Sequence, residues 1–234
     1  MIKFDNVSFF FDNNEILSKL SCQFDDNKIH CVLGPSGCGK TTILNLIAGL
    51  LKTKSGSITG IDKRISYVFQ DERLIYEKTA RGNLDFVLAG VYSDRNKRRV
   101  LMNTFLELVG LDSAKNLYPR EMSGGMKQRL VIARAFVYPS DILLLDEPFK
   151  ALDVNLRCEL IKLFLKLWTN DKRTTIFVTH DITEAMAVAD NIYVFGNKPL
   201  STLKQTTIEA PRNKMIDAHT IYDNADKMLK LLDS

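Results

Sequence analysis

Two hydrophobic periods alternate along the chain. Short runs rich in β-branched and aromatic residues predict buried strands: KIHCVLG (28 to 34), RISYVFQ (64 to 70), DILLLDE (141 to 147), TTIFVTH (174 to 180) and NIYVFG (191 to 196). Between them lie segments whose apolar residues recur every three to four positions, such as KTTILNLIAGLL (40 to 51), ARGNLDFVLAGVY (80 to 92) and NKRRVLMNTFLELVGL (96 to 111), and these predict helices. Strand–helix alternation of this kind predicts an α/β domain around a mostly parallel sheet. The N-terminal IKFDNVSFFF and ILSKLSCQF alternate by twos, which predicts a small antiparallel sheet beside the first core strand. From Gln70 to Asp141 strand signals vanish, so residues 71–138 read as a helical lobe inserted into a core made of residues 1–70 and 139–234. Leu156, Leu160, Leu163 and Leu167 fall on one helical face and predict packing, nothing more.

Composition narrows the class. With 234 residues, 45% of them apolar, the chain is long enough for one α/β domain with a sub-lobe and is neither fibrous nor disordered. The formal charge of +4 is spread along the chain and predicts no nucleic-acid face; the densest basic run, DRNKRRV (94 to 100), reads as the solvated side of a helix. Cys22, Cys31, Cys38 and Cys158 show neither CxxC pairing nor a histidine at ligand spacing, which points to reduced cytosolic thiols. The opening MIKFDNVSFFF lacks the parts of a signal peptide, and the longest apolar patch, residues 41 to 51, is well short of the roughly 20 residues a spanning helix needs. Work at a membrane would therefore go through a partner.

GPSGCGKTT (34 to 42) fits GxxxxGK[ST] and stands between a predicted strand and a predicted helix, the context a phosphate loop requires. Gly34, Gly37 and Gly39 allow backbone N–H groups to turn inward as an anion nest, with Pro35, Ser36 and Cys38 completing the loop; Cys38 offers its N–H and not its thiol. Lys40 supplies a charge for the β and γ phosphates of ATP, and Thr41, followed by Thr42, a hydroxyl for Mg²⁺. The apolar strand ILLLDEP (142 to 148) delivers Asp146 to the metal and Glu147 to the attacking water, provided the chain turns between them, because successive strand side chains face opposite ways. Gln70 and His180 each close a predicted strand of the same sheet, within reach of the metal, the γ-phosphate or its water.

MSGGMKQR (122 to 129) poses a different problem. Ser123, Gly124 and Gly125 head a helix of the inserted lobe, where the chain's own nucleotide is out of reach. A serine hydroxyl, two glycine N–H groups and a helix N-terminus make a γ-phosphate clamp useful only to a second copy, so two chains are expected to bury two ATPs around a twofold axis.

The ordered set GPSGCGKTT, VFQ, MSGGMKQR, ILLLDEP, KALD and VTHD resembles the ATPase subunit of ATP-binding cassette (ABC) transporters over essentially the whole chain. The resemblance implies a P-loop NTPase of ABC type with ATP and Mg²⁺ as cofactors. It also implies an adenine-stacking aromatic at Phe11, with Phe9 and Phe10 close competitors, and a loop crossing to the partner chain at Lys150–Asp153, which brings Asp153 to the nucleotide. Gln70 and the segment after it would act as a lever on a transmembrane permease. Met122 and Met126 replace the family's usual Leu and Gln, and Lys150 its Gly or Ser, a change that could alter the speed of communication between chains. VFQDERLIYEKTARGNL, YPREMSGGMKQR, EPFKALD and DITEAMAVADNIYVF are most similar to importers of the nitrate, sulfonate, taurine and thiamine-precursor group. These imply a subunit on the cytoplasmic face of the cell membrane, paired with a second copy of itself beneath a dimeric permease, and an extracytoplasmic solute-binding protein. The tail after about residue 211 is too short for an added regulatory domain. An exporter ATPase is the alternative; a soluble repair-type ABC ATPase would need a coiled coil or zinc module between Gly34 and Ser123.

Overall fold

The computed structural model describes residues 1–196, 200 and 204–207. Its larger sheet has the order β5-β6-β7-β3-β8-β9, built from β3 (Ile29–Leu33), β5 (Ile65–Val68), β6 (Ile142–Asp146), β7 (Thr174–Thr179), β8 (Asn191–Val194) and β9 (Lys204–Thr207). All neighbouring pairs are parallel except β8 with β9. Every residue of β3, β6 and β7 is buried, which is why these strands read as continuous apolar runs: both faces of the sheet are covered. One face packs on α1 (Lys40–Ile47) and the small sheet; the other packs on α4 (Gly124–Val137), α5 (Val154–Asn170) and α6 (Ile182–Val188). Leu160, Leu163 and Leu167 are buried in that second layer, with Leu156 partly buried.

The small sheet is antiparallel, in the order β2-β1-β4, with β1 spanning Ile2–Phe11, β2 Asn14–Phe24 and β4 Ser55–Thr59. The sequence gives no signal for β4, whose SGSIT holds one apolar residue. It forms because its backbone closes on β1, and Gly56 permits the approach: at φ 76°, any Cβ there would lie 2.3 Å from the Asn6 carbonyl oxygen.

Between β5 and β6 run α2 (Ala80–Ala89), α3 (Arg95–Leu108) and α4. Asp94 caps α3, accepting from the N–H groups of Asn96 and Lys97, and the basic run that follows is largely exposed. Buried Arg173 closes the C-terminal end of α4: its guanidinium donates to the carbonyls of Phe136 and Tyr138, both at 2.8 Å, and pairs with Asp171. No helix among the described residues is long and apolar enough to cross a membrane. The C-terminal tail after residue 211 lies outside the described residues.

Candidate functional site

The centre of the site is the turn from β3 into α1. Gly37 and Gly39 both have positive φ, at 76° and 117°, conformations that glycine adopts without steric cost. Gly39 is also constrained by packing, since a Cβ there would come within 2.7 Å of Ile16 Cγ2. Lys40, only 4% exposed, folds its ammonium back over the loop, donating to the carbonyls of Gly34 at 2.9 Å and Pro35 at 2.8 Å. Left-handed glycines, a helix N-terminus and a buried ammonium form the donor set that a polyphosphate requires.

Thr41, one residue on, donates its hydroxyl to both Asp146 oxygens, at 2.9 and 3.1 Å. Burial raises the Asp146 carboxyl above its ordinary range, with the nearby Glu147 adding to the rise and the Thr41 hydroxyl opposing it. A hydroxyl and a carboxylate meeting in this way fit the oxygen-donor preference of Mg²⁺. Thr42 is buried. Gln70 lies two residues beyond the end of β5, not in the strand itself, and lines a cleft of about 360 Å³ together with Thr41, Asn45 and Asp146.

The strand β6 ends at Asp146, and Glu147 adopts φ 46°, a left-handed conformation that a non-glycine residue reaches at a cost on the order of 1–3 kcal/mol. This break resolves the problem of two adjacent carboxylates: Asp146 turns to Thr41 while Glu147 turns to two lysines and a histidine. Glu147 Oε1 lies 3.3 Å from His180 Nδ1 and 3.9 Å from Lys40 Nζ, and Oε2 lies 2.9 Å from Lys150 Nζ. That last contact is close but poorly aligned for a hydrogen bond, so it is an ion pair in character. Burial pushes the Glu147 carboxyl up, but Lys150 and His180 together outweigh it and hold the group below the usual carboxylate range. The result is an ionised carboxylate 8% exposed, able to accept a proton or orient a water.

Other residues singled out from the sequence stand apart from this cluster. Ser123 is the N-cap of α4, its Oγ accepting from Met126 N–H at 3.3 Å, and Gly124 and Gly125 form the first turn. A Cβ on Gly125 would press within 3.1 Å of Leu156 Cδ1, so this turn packs against α5. Asp153 caps α5, accepting from Leu156 N–H at 3.0 Å. Phe11, the last residue of β1, is half exposed and edge-on to Phe9, which is buried; Phe10 is intermediate.

Two features of the site escaped the sequence reading. Lys150 touches Glu147 directly, a contact that depends on the turn at Glu147 and on Ala151 at φ 60°. Glu184, 3% exposed, is a buried acid beside the His180 turn; its signal was available in ITEAMAVA, where a lone carboxylate falls on the face that Val188 and Ala185 bury.

Comparison with known proteins agrees with this geometry. The family model described as ABC transporter matches residues 17–150. An ABC transporter ATP-binding protein of Methanocaldococcus jannaschii, itself uncharacterised, is 34% identical, with 91% of this chain and 85% of that protein covered. The aliphatic sulfonates import ATP-binding protein SsuB of Bacillus thuringiensis is 36% identical, with 91% of this chain and 89% of that protein covered. The dimeric structure of the bacterial ABC transporter cassette MJ0796 superimposes with a TM-score of 0.77 at 28% identity, covering 90% of this chain and all of that one. The same cassette in a post-hydrolysis state with ADP and Pi gives a TM-score of 0.76. The protein is thus a P-loop NTPase built as an ATP-binding cassette. It belongs to the ABC transporter family, as an ATP-binding, ATP-hydrolysing subunit.

Proposed function

We propose that the chain powers an importer of small organic anions of the sulfonate type, working as a pair of cassettes beneath a transmembrane permease. The observation that carries this reading is a groove of about 370 Å³ along the edge strand β5, walled by Tyr67, Phe69, Ile75, Phe86, Val87 and Val131. Phe69, the neighbour of Gln70, is in its wall, and a largely apolar groove suits a short helical segment of a membrane partner. Likeness to SsuB supports the solute class.

In this account Gly34–Thr42 cradle the phosphates, Lys40 neutralises them, and Phe11 stacks on the adenine. Thr41, Asp146 and Gln70 would hold Mg²⁺, which supplies charge neutralisation of the β and γ phosphates when bound. Glu147 orients and deprotonates the attacking water, with His180 fixing the carboxylate from one side. Ser123, Gly124, Gly125 and Asp153 act on the nucleotide of the second copy. Signals to the permease pass through α4: Lys127 pairs with Glu72 at 3.4 Å, and Arg134 donates to the carbonyls of Glu72 and Arg73 at 2.9 and 2.6 Å. The clamp-bearing helix and the segment after Gln70 are therefore mechanically joined.

The test is to purify the tagged protein from its native membranes in mild detergent and identify the co-purifying chains by mass spectrometry. A multi-span permease together with a solute-binding protein is expected, and that binding protein should take sulfonates in a ligand screen. A permease with no binding protein would turn the reading to export, and soluble partners alone would remove transport from it.

A further inference from the structure

Behind Glu147, one side chain joins three segments of the chain. Arg157, in the first turns of α5, donates from Nη1 to Asp181 Oδ2 at 2.7 Å and from Nη2 to the Leu152 carbonyl at 3.1 Å. Its Nε faces Glu184 Oε1 at 3.7 Å, beyond hydrogen-bond distance. Glu184 in turn accepts from the Thr179 hydroxyl at 2.7 Å, and that hydroxyl oxygen accepts from Asp181 N–H at 3.0 Å. Arg157 thus fastens the loop Lys150–Asp153 to the turn that carries His180. A small cavity of about 50 Å³ lies between them, lined by Glu147, Lys150, Arg157, His180 and Glu184.

We propose that Arg157 is a positioning residue for hydrolysis: it holds the 150–153 loop and the His180 turn as one body, so that Glu147 and His180 keep their register when the loop meets a second copy. Two physical arguments support this. The loop contains Ala151 in a left-handed conformation, which persists only where surrounding contacts over-determine it, and the Arg157 bond to Leu152 O supplies such a contact. The guanidinium also serves the two segments at once through a rigid fork, which a lysine ammonium lacks. Glu184 extends the anchor from the far side; its carboxyl is pushed up to about 7, chiefly by burial.

This inference rests on Glu147 and His180 acting together in hydrolysis. The experiment measures steady-state ATPase kinetics for Arg157→Gln, Arg157→Lys, His180→Ala and the double variant Arg157→Gln/His180→Ala, with Glu147→Gln alongside. Arg157→Gln is expected to lower kcat on the order of 10-fold while moving KM for ATP less than about twofold, and Arg157→Lys to fall in the same direction. Because Arg157 acts through His180, the double variant should lose little beyond His180→Ala alone. Wild-type kcat in Arg157→Gln, or losses that multiply in the double variant, would overturn the proposal. Should Arg157→Gln fail to fold, Arg157→Lys decides by the same criterion. Wild-type turnover by Glu147→Gln would remove the underlying reading on its own, whatever Arg157 does.

Discussion

Glu147 stands between two lysine ammonium groups and the His180 imidazole, and its chemistry depends on which of them remain. Lys150 is the largest of the influences that lower its carboxyl against the rise due to burial. Lys150→Ser is therefore expected to let that carboxyl titrate higher, moving the acid limb of the kcat–pH profile to higher pH; a limb that stays in place would show that Lys150 does not act on the base. Glu184 gives a stability prediction of opposite sign to the usual carboxylate. Burial raises it from an ordinary 4.5 to about 7, aided by Asp181 and opposed by Thr179, Arg157 and His180; the buried Cys31 of β3 feels its charge in turn. The folded chain then holds this proton more tightly than the unfolded chain. The contribution is intact below pH 4.5 and is lost as pH rises to about 7, on the order of 3 kcal/mol. Denaturant titrations of wild type and Glu184→Gln across that window should diverge by this amount, with the variant lacking the loss. The phosphate loop, Asp146 and Glu147 were legible because their residue types sit at fixed spacing. Arg157 and Arg173 were not, since each joins segments that only folding brings together, Arg157 through the Asp181 carboxylate and the Leu152 carbonyl and Arg173 through the Phe136 and Tyr138 carbonyls, and such pairings leave no trace in residue spacing.

At the level of elements, α4 joins two functions. Its N-terminus presents the proposed clamp, and its middle grips the segment after Gln70 through Arg134. Ser123→Arg places a long cation where a phosphate oxygen of the second copy is expected, so ATP affinity of the single chain should be preserved while ATP-dependent dimerisation is lost. Nucleotide titration and sedimentation separate these outcomes; a large loss of single-chain affinity would put the clamp on the chain's own ATP. Ser123 also caps the helix, worth roughly 1 kcal/mol, and Ser123→Asn, which keeps the cap, controls for that. Core strands were readable from the sequence because burial on both faces makes them apolar throughout. Two element features were not. β4 is defined by where Gly56 lets its backbone lie, and β5 stops at Val68, leaving Gln70 in the loop that faces Thr41 and Asp146.

For the whole molecule, the central claim is that one chain carries two halves of different sites. The phosphate loop, Asp146, Glu147 and His180 converge within the chain, whereas Ser123 heads a helix on the inserted segment and does not line the cleft that Thr41 and Gln70 share. That division was already present in the sequence as two separate glycine-rich helix starts, and the dimeric MJ0796 cassette shows that this fold can pair. ATP bound between two copies would favour the closed pair, and hydrolysis would release it, a population shift that a permease seated on β5 could follow. The most direct measurement is analytical ultracentrifugation of Glu147→Gln with and without MgATP, with retained nucleotide quantified. The account predicts a dimer only when ATP is present, holding one ATP per chain, with turnover at least about 100-fold below wild type. A monomer at saturating ATP, or hydrolysis at the wild-type rate, would contradict it.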